Sequence, residues 1–406
     1  MKGVIVQKYG GTSMGDIERI QNVARRVVDH KRGGHQVIVV VSAMGKTTDH
    51  LVDMATTLNP NPSAREMDML LSTGEQVSIS LLAMAIDQLG EKAISLTGAQ
   101  CGIKTDAHHK KARIESIETS RIIEEFERNH IVIVAGFQGI TQLGDITTLG
   151  RGGSDTTAVA LAAAVKAEKC EIYTDVDGVF TTDPRKVDSA RQLKEISYDE
   201  MLELAKLGAK VLHPRSVELA RKYSVPLVVR SSFNNNEGTR IVEVSKLEKV
   251  QVRGVTADPD IARISVSKVP DTPGVAFQLF SQLAKQNIHL DMIIQNLNHD
   301  EHNDISFTVP TDDLADATSI ATSFSEKVGG GEVIIKRDVS KVSIVGTGIT
   351  GNAEVASLLF GTLSELGINI EMISTSEIKI SCIIDAASSD LAVASLHNAF
   401  DLGLGL

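Results

Sequence analysis

Residues 275–293 and 355–373 of this chain repeat one another at a constant offset of 80. The identical pairs are Val275/Val355, Ala276/Ala356, Leu279/Leu359, Phe280/Phe360, Leu283/Leu363, Ile288/Ile368, Met292/Met372 and Ile293/Ile373. Identity at fixed spacing, beyond shared hydrophobicity, marks a duplication. Each copy reads as strand, glycine-bearing loop, helix, strand, turn and strand. A unit that short cannot bury both faces of its sheet, so the copies are expected to pair, side by side or across a dimer.

Ahead of the duplication, residues 1–245 alternate strand and helix patterns. Apolar runs at 4–7, 36–42, 131–137, 170–174 and 226–229 are of the kind buried on both faces of a parallel sheet. Ile17, Ile20, Ala24, Val27 and Val28 mark one face of a helix stopped by Gly33-Gly34. An alanine-rich helix is predicted over 154–167, opened by a Ser-Asp-Thr-Thr cap. This alternation implies a three-layer α/β domain, closed by the polar loop at 231–238.

Within that domain, glycine-rich turns follow strands and precede helices. Lys8-Tyr9-Gly10-Gly11-Thr12-Ser13 joins a strand-end lysine to two glycines and a helix start, a combination suited to cradling a phosphate. Gly150-Arg151-Gly152-Gly153-Ser154-Asp155 adds an arginine suited to a carboxylate. A cap-and-turn reading explains the helix start but not Arg151. Two anion cradles in one domain suit a reaction between two anions. Tyr173-Thr174-Asp175-Val176-Asp177-Gly178-Val179 and Thr182-Asp183-Pro184-Arg185 offer carboxylates to a nucleotide or a plain turn, and Lys210 is a second candidate phosphate contact. Glu75, in Ser72-Thr73-Gly74-Glu75, reads as heading a helix, either as a first-turn charge or as the partner of a substrate ammonium.

Composition excludes several functions. The net charge of −11, with no Trp and few aromatics, disfavours nucleic acid and anionic membranes. Cys101, Cys170 and Cys382 are far apart and without a CxxC, which points to free thiols in a reducing compartment. No signal peptide or spanning run is expected, so the chain reads as cytoplasmic. Gly346-Thr347-Gly348-Ile349-Thr350-Gly351 satisfies G-x-G-x-x-G, with Glu371 following, but it lies inside one repeat and too near the end for a dinucleotide fold.

Taken in order, KYGGTS, VVVSAMGKTTD at 39–49, STGE at 72–75, GRGGSD, YTDVDGV and TDPR, followed by the duplication, resemble the aspartate kinases over essentially the whole chain. The resemblance implies a three-layer αβα amino-acid kinase domain over 1–245, followed by two α+β ferredoxin-like ACT domains at 250–335 and 336–406. It implies transfer of the γ-phosphoryl of ATP, with Mg²⁺, onto the side chain of L-aspartate. Lys8 would neutralise the transferring phosphoryl, with Tyr9, Gly10, Gly11, Ser13 and Ser42 around it. Asp155 would orient Lys8. Arg151, with Gly152, Gly153 and Ser154, would clamp an aspartate carboxylate, Glu75 would meet the ammonium, and Thr47 lies in the loop that closes over it. Thr174, Asp175, Val179, Asp183, Arg185 and Lys210 match nucleotide positions, and no side chain is assigned as a direct metal ligand.

The ACT pair implies feedback by lysine, threonine or both. Asp271, Gly274, Val275, Ala276, Gln295 and Asn296 would serve in the first copy, with Asn352 and Asn369 in the second. The second copy has Ala353-Glu354 where the first has Pro273-Gly274. A homodimer or larger oligomer through these domains is expected, with room for a separate regulatory subunit. A glutamate-directed sibling kinase and an amino-acid sensor without turnover remain as rivals.

Overall fold

The computed structural model describes residues 3–209, 211–243, 251–286, 288–297, 302–349 and 351–404. They form two compact units, the first comprising 1–179, 192–206 and 210–246, the second 180–191, 207–209 and 247–406.

In the first unit the elements run β1 (Val4–Tyr9), α1 (Ile17–Arg32), β2 (Gln36–Val41), α2 (Thr47–Leu58), α3 (Ala64–Gln88) and β3 (Ala93–Leu96). There follow β4 (Ile103–Thr105), β5 (Ile114–Ile117), α4 (Ser120–Glu127), β6 (Ile131–Ala135), β7 (Gln138–Ile140), β8 (Ile146–Thr148), α5 (Gly153–Ala164) and β9 (Lys169–Thr174). The unit ends with β10 (Glu195–Ser197), α6 (Tyr198–Lys206), α7 (Pro214–Lys222), β11 (Leu227–Ser231) and β12 (Thr239–Val242). Eight strands form one sheet in the order β10-β12-β11-β9-β1-β2-β6-β3, parallel apart from the β11–β12 pair. β4, β5, β7 and β8 form a small second sheet.

The continuous apolar runs sit at the centre, with Val37 to Val41 and Ile131 to Ala135 fully buried. Period-two alternation puts Gln7 and Tyr9 on one face of β1, where Tyr9 stacks on Tyr173 with centroids 4.6 Å apart. Lys8 therefore faces the opposite side, that of α5. Beneath Tyr9 a fully buried Glu171 accepts from Gln7, Lys169, Tyr173 and Arg230. Burial pushes its carboxyl up, but the hydrogen bonds from Lys169 and Gln7, with the charges of Lys169 and His30, outweigh that and hold it at about 2.

Several sequence expectations need correction. α5 begins at Gly153 behind Gly152, with no side-chain cap, so Ser154 and Asp155 lie inside its first turn. Gly74 and Glu75 stand mid-helix in α3, because a lone glycine weakens a helix by only about 1 kcal/mol and does not end a pattern that runs on to Gln88. Ile17 is exposed at the start of α1, outside the stripe that Ile20, Val23, Ala24, Val27 and Val28 bury. The loop after Ser231 does not end the unit, since β12 returns antiparallel to β11. By length and composition α3 could cross a membrane, contrary to the reading that no run is long enough. Ile79, Leu82 and Ile86 on α3 instead join the core, and Asp68 and Glu75 are buried on the same helix.

The second unit contains β13 (Gln251–Asp258), β14 (Ile261–Pro270), α8 (Val275–Lys285), β15 (Ile293–Leu297), β16 (His302–Pro310), α9 (Leu314–Val328) and β17 (Val333–Lys336). β18 (Val339–Thr347), α10 (Ala353–Glu365), β19 (Met372–Ser376), β20 (Lys379–Asp385) and α11 (Ser389–Ala399) complete it. Its two sheets run β15-β16-β14-β17 and β13-β18-β20-β19, both antiparallel. These are the same ferredoxin-like order, except that the second copy takes its outer strand, β13, from chain that precedes the first copy.

Ile261, Met292, Val339, Met372 and Ile383 form a cluster shared by the copies. Two sets of ion pairs flank it. Asp291 and Glu371 are equivalent at the offset of 80. Asp291 bonds Lys341 of the second copy, and Glu371 bonds Lys336 and Arg263 of the first. Glu371 is thus committed to this contact, not to a ribose. Cys101, Cys170 and Cys382 are free and buried, and burial pushes the Cys101 and Cys382 thiols up to about 12.

Candidate active site

Loops at the C-terminal ends of β1, β2, β6 and β9 meet on one edge of the large sheet, where ligands bind in open α/β folds. Backbone bonds stitch them together: Ser42 N–H to Tyr9 O, Gly45 N–H to Gly11 O, Gly136 N–H to Val41 O, and Ser232 N–H to Thr174 O. Gly11 is closely fitted here, since a Cβ would sit 3.0 Å from Ala43 O and 3.1 Å from Gly45 O and would push on that backbone.

At the centre Lys8 Nζ lies 2.6 Å from Asp155 Oδ1, both side chains nearly buried. The ammonium lies against Gly10, 3.5 Å from where a Cβ would be. Asp155 sits in the first turn of α5, whose N-terminal N–H groups carry no side-chain cap. Ser154 packs on the backbone of Gly136. Arg151 is exposed at the mouth, and among the described residues its guanidinium has neither hydrogen bond nor ion pair. Tyr9 is buried on the other face of the sheet, so only its backbone reaches the cradle.

Glu75 approaches from α3. One oxygen accepts from Ala43 N–H at 3.1 Å, while the other is buried with no hydrogen-bond partner among the described residues. Burial pushes its carboxyl up to about 7, against the pull of the backbone hydrogen bond. Thr47 opens α2 and donates to Met44 O at 2.6 Å. Gly74 brings α3 against Ala43.

On the far side of β1, Ser13 donates to Ser232 Oγ at 2.8 Å, and Ser232 donates to Thr174 O at 3.1 Å. Thr174 donates to the exposed Asp175 at 3.1 Å. Val179 is buried, and its N–H goes to Thr239 Oγ1 at 2.9 Å. Asn234 and Asn236 donate to Asp177, which ties the polar loop after β11 to the loop after β9. From sequence alone this loop reads only as a boundary; its serines and asparagines are the signal that it does more.

Asp183 and Arg185 lie in the second unit, where Arg185 grips Asp183 through Nε at 3.0 Å and Nη2 at 2.9 Å. Lys210 lies outside the described residues. In the first repeat Asp271 accepts from Asn303 at 2.9 Å. Gly274, with φ of 92°, starts α8 without a side-chain cap, Val275 is buried, and Ala276 lies in the first turn. Gln295 and Asn296 are exposed on β15. Asn352 spends its side-chain oxygen capping α10, accepting from Glu354 and Val355 N–H, and Asn369 is exposed.

Residues 3–231 match the Amino acid kinase family model, and 264–322 and 342–400 each match an ACT domain. The chain is 54% identical over 401 residues to the aspartokinase of Geobacillus stearothermophilus, covering 98% of each. It covers 98% of its length and 99% of the E. coli aspartokinase III chain solved with aspartate and ADP in the R-state, at TM-score 0.82 and 24% identity. The same protein with lysine and aspartate in the T-state aligns at TM-score 0.74. At that identity the structural likeness establishes the fold.

Fold and site together define a small-molecule kinase with a C-terminal ACT pair. The chain belongs to the aspartokinase family, whose members phosphorylate the side-chain carboxyl of aspartate.

Proposed function

We propose that the enzyme converts ATP and L-aspartate to ADP and 4-phospho-L-aspartate through the residues gathered around Lys8, as the entry step toward lysine, threonine and methionine. The observation that carries this reading is the nearly buried Lys8–Asp155 pair, with Arg151 four residues before Asp155 exposed and without a partner among the described residues. A carboxylate is already an adequate nucleophile, so the site needs no general base. It needs two anions held in line and the charge on the transferred group offset.

Lys8 Nζ, held by Asp155, supplies a cation on the path between the anions. Gly10, Gly11 and Ser13 line the phosphate side, with Ser42 beside them. Arg151 takes an aspartate carboxylate, with the first turn of α5 (Gly152, Gly153, Ser154), which has no side-chain cap, behind it, and Glu75 takes the ammonium. Thr174, Asp175, Val179, Asp183, Arg185 and Lys210 are assigned to the nucleotide. Among the described residues no three metal-binding side chains converge, and Asp155 is already paired, so Mg²⁺ would arrive on the triphosphate, offsetting its charge, and keep most of its water.

Residues 1–245 are assigned to catalysis, and 250–335 and 336–406 to regulation by lysine, threonine or both. Association through the ACT units into a homodimer or larger oligomer is part of this reading. The uncapped start of α8 favours an amino-acid carboxylate at Asp271, Gly274, Val275, Ala276, Gln295 and Asn296. Asn352 already occupies the corresponding place in the second copy. Removing 250–406 would be a blunt test, because Thr181 bonds His397 at 2.8 Å and would lose it. Point changes at Gln295 and Asn296 that relieve inhibition while sparing turnover are the cleaner one.

The deciding experiment traps the acyl phosphate with hydroxylamine, comparing aspartate with glutamate and parent with Lys8→Ala. Turnover on aspartate, lost by more than about tenfold (~1.4 kcal/mol) in a folded Lys8→Ala protein, is expected. A smaller loss refutes the role given to Lys8, and turnover on glutamate alone refutes the substrate.

A further inference from the structure

The loop bearing Arg151 is braced by groups that the reaction itself does not use. Arg215, in the first turn of α7, donates from Nη1 to Leu149 O at 2.9 Å and from Nη2 to Ala112 O at 2.8 Å. Leu149 immediately precedes Gly150-Arg151, and Ala112 ends the loop packed beneath Gly150. A Cβ on Gly150 would stand 2.9 Å from Lys110 O. One planar guanidinium thus spans the two backbone strands that carry the carboxylate-binding loop, a geometry that lysine's single ammonium cannot reproduce.

Two further contacts act on the same loop. His213 accepts from Arg215 N–H through Nδ1 at 3.3 Å. Its ring fills the space a Gly152 side chain would need, since a Cβ there would fall 2.2 Å from His213 Cβ and Cγ. Gly152 has φ of 69°, so any side chain there would be strained as well as in collision with the ring. From the opposite side the fully buried Asp68 accepts from Thr148 Oγ1 at 2.6 Å and from Lys110 N–H at 3.0 Å.

We propose that Arg215 is a positioning residue for aspartate, holding the Leu149–Ala112 pair so that Arg151 meets the substrate carboxylate at a fixed place. The inference rests on the assignment of Arg151 to aspartate. It separates the substrates, because the brace bears on residues 149–153 and not on Gly10, Gly11 or Thr174, where the nucleotide is assigned. A displacement of an ångström or so at Arg151 weakens aspartate use and leaves nucleotide affinity alone.

The test measures KM for aspartate and for ATP, and kcat, in the full-length Arg215→Lys, Arg215→Ala and Arg151→Lys enzymes. Expected for Arg215→Lys is a rise of about tenfold in KM for aspartate, with KM for ATP within about twofold. Guanidinium at low millimolar concentration should partly restore Arg215→Ala, and equimolar KCl should not. Parallel rises in both KM values, or no change in either, overturn the inference. A raised aspartate KM in Arg151→Lys alone overturns the brace and leaves the substrate assignment intact. An unchanged aspartate KM in Arg151→Lys overturns both. Should Arg215→Ala fail to fold, Arg215→Lys, which retains charge and one hydrogen bond, decides the matter.

Discussion

Replacing Glu75 with Gln should stabilise the free enzyme above neutral pH and damage its use of aspartate. Glu75 is buried, with one oxygen lacking a partner among the described residues, and its carboxyl is raised from 4.5 to about 7. That gap, at ~1.4 kcal/mol per pH unit, is about 3 kcal/mol. The sign follows from proton counting. Between about pH 4.5 and pH 7 the folded chain keeps a proton that the unfolded chain has released, so stability falls as pH rises through that window. Glutamine has no proton to lose and still offers its carbonyl to Ala43 N–H. The variant should therefore match the parent near pH 5 and melt roughly 5–10 °C higher near pH 8.

Function should move the other way. The substrate ammonium favours the ionised form of Glu75, so KM for aspartate in the parent should rise by up to about tenfold per pH unit below about 7. In Glu75→Gln the profile should be flat and kcat/KM lower by about a hundredfold. Thermal melts at the two pH values, with aspartate KM against pH, provide the readings. Equal melting temperatures near pH 8, or a pH limb that persists in the variant, would refute the argument.

Two other perturbations probe the frame. Glu171, held at about 2, gives stability that is complete above about pH 4.5 and lost as pH falls toward 2, worth about 3 kcal/mol. The stability gap between parent and Glu171→Gln should accordingly shrink on acidification, as urea melts of the two would show, and a pH-independent gap would count against this. Lys341→Met, which removes the partner of Asp291 and Asp258, should lower the stability of the second unit by about 1–3 kcal/mol while sparing turnover. Calorimetry showing no change would mean the ion pairs between the copies contribute nothing.

What the sequence determined by itself was periodic or local. The eighty-residue offset revealed two equivalent units because identities at fixed spacing survive without coordinates. The apolar runs of β1, β2, β6 and β9 announced a parallel sheet, and Lys8 and Arg151 stood out as charges at glycine turns. The sequence did not contain the pairing of distant segments. That β13 completes the second copy's sheet depends on which strand edge is left open. That Glu75 lies mid-helix with an oxygen unpartnered among the described residues, and that Arg215 reaches Leu149 and Ala112, depends on helices α3 and α7, far apart along the chain, packing against the same unit. Spacing along a chain fixes a residue's face on its own helix or strand. Only packing decides which other element that face meets, and burial there set the Glu75 carboxyl near neutrality.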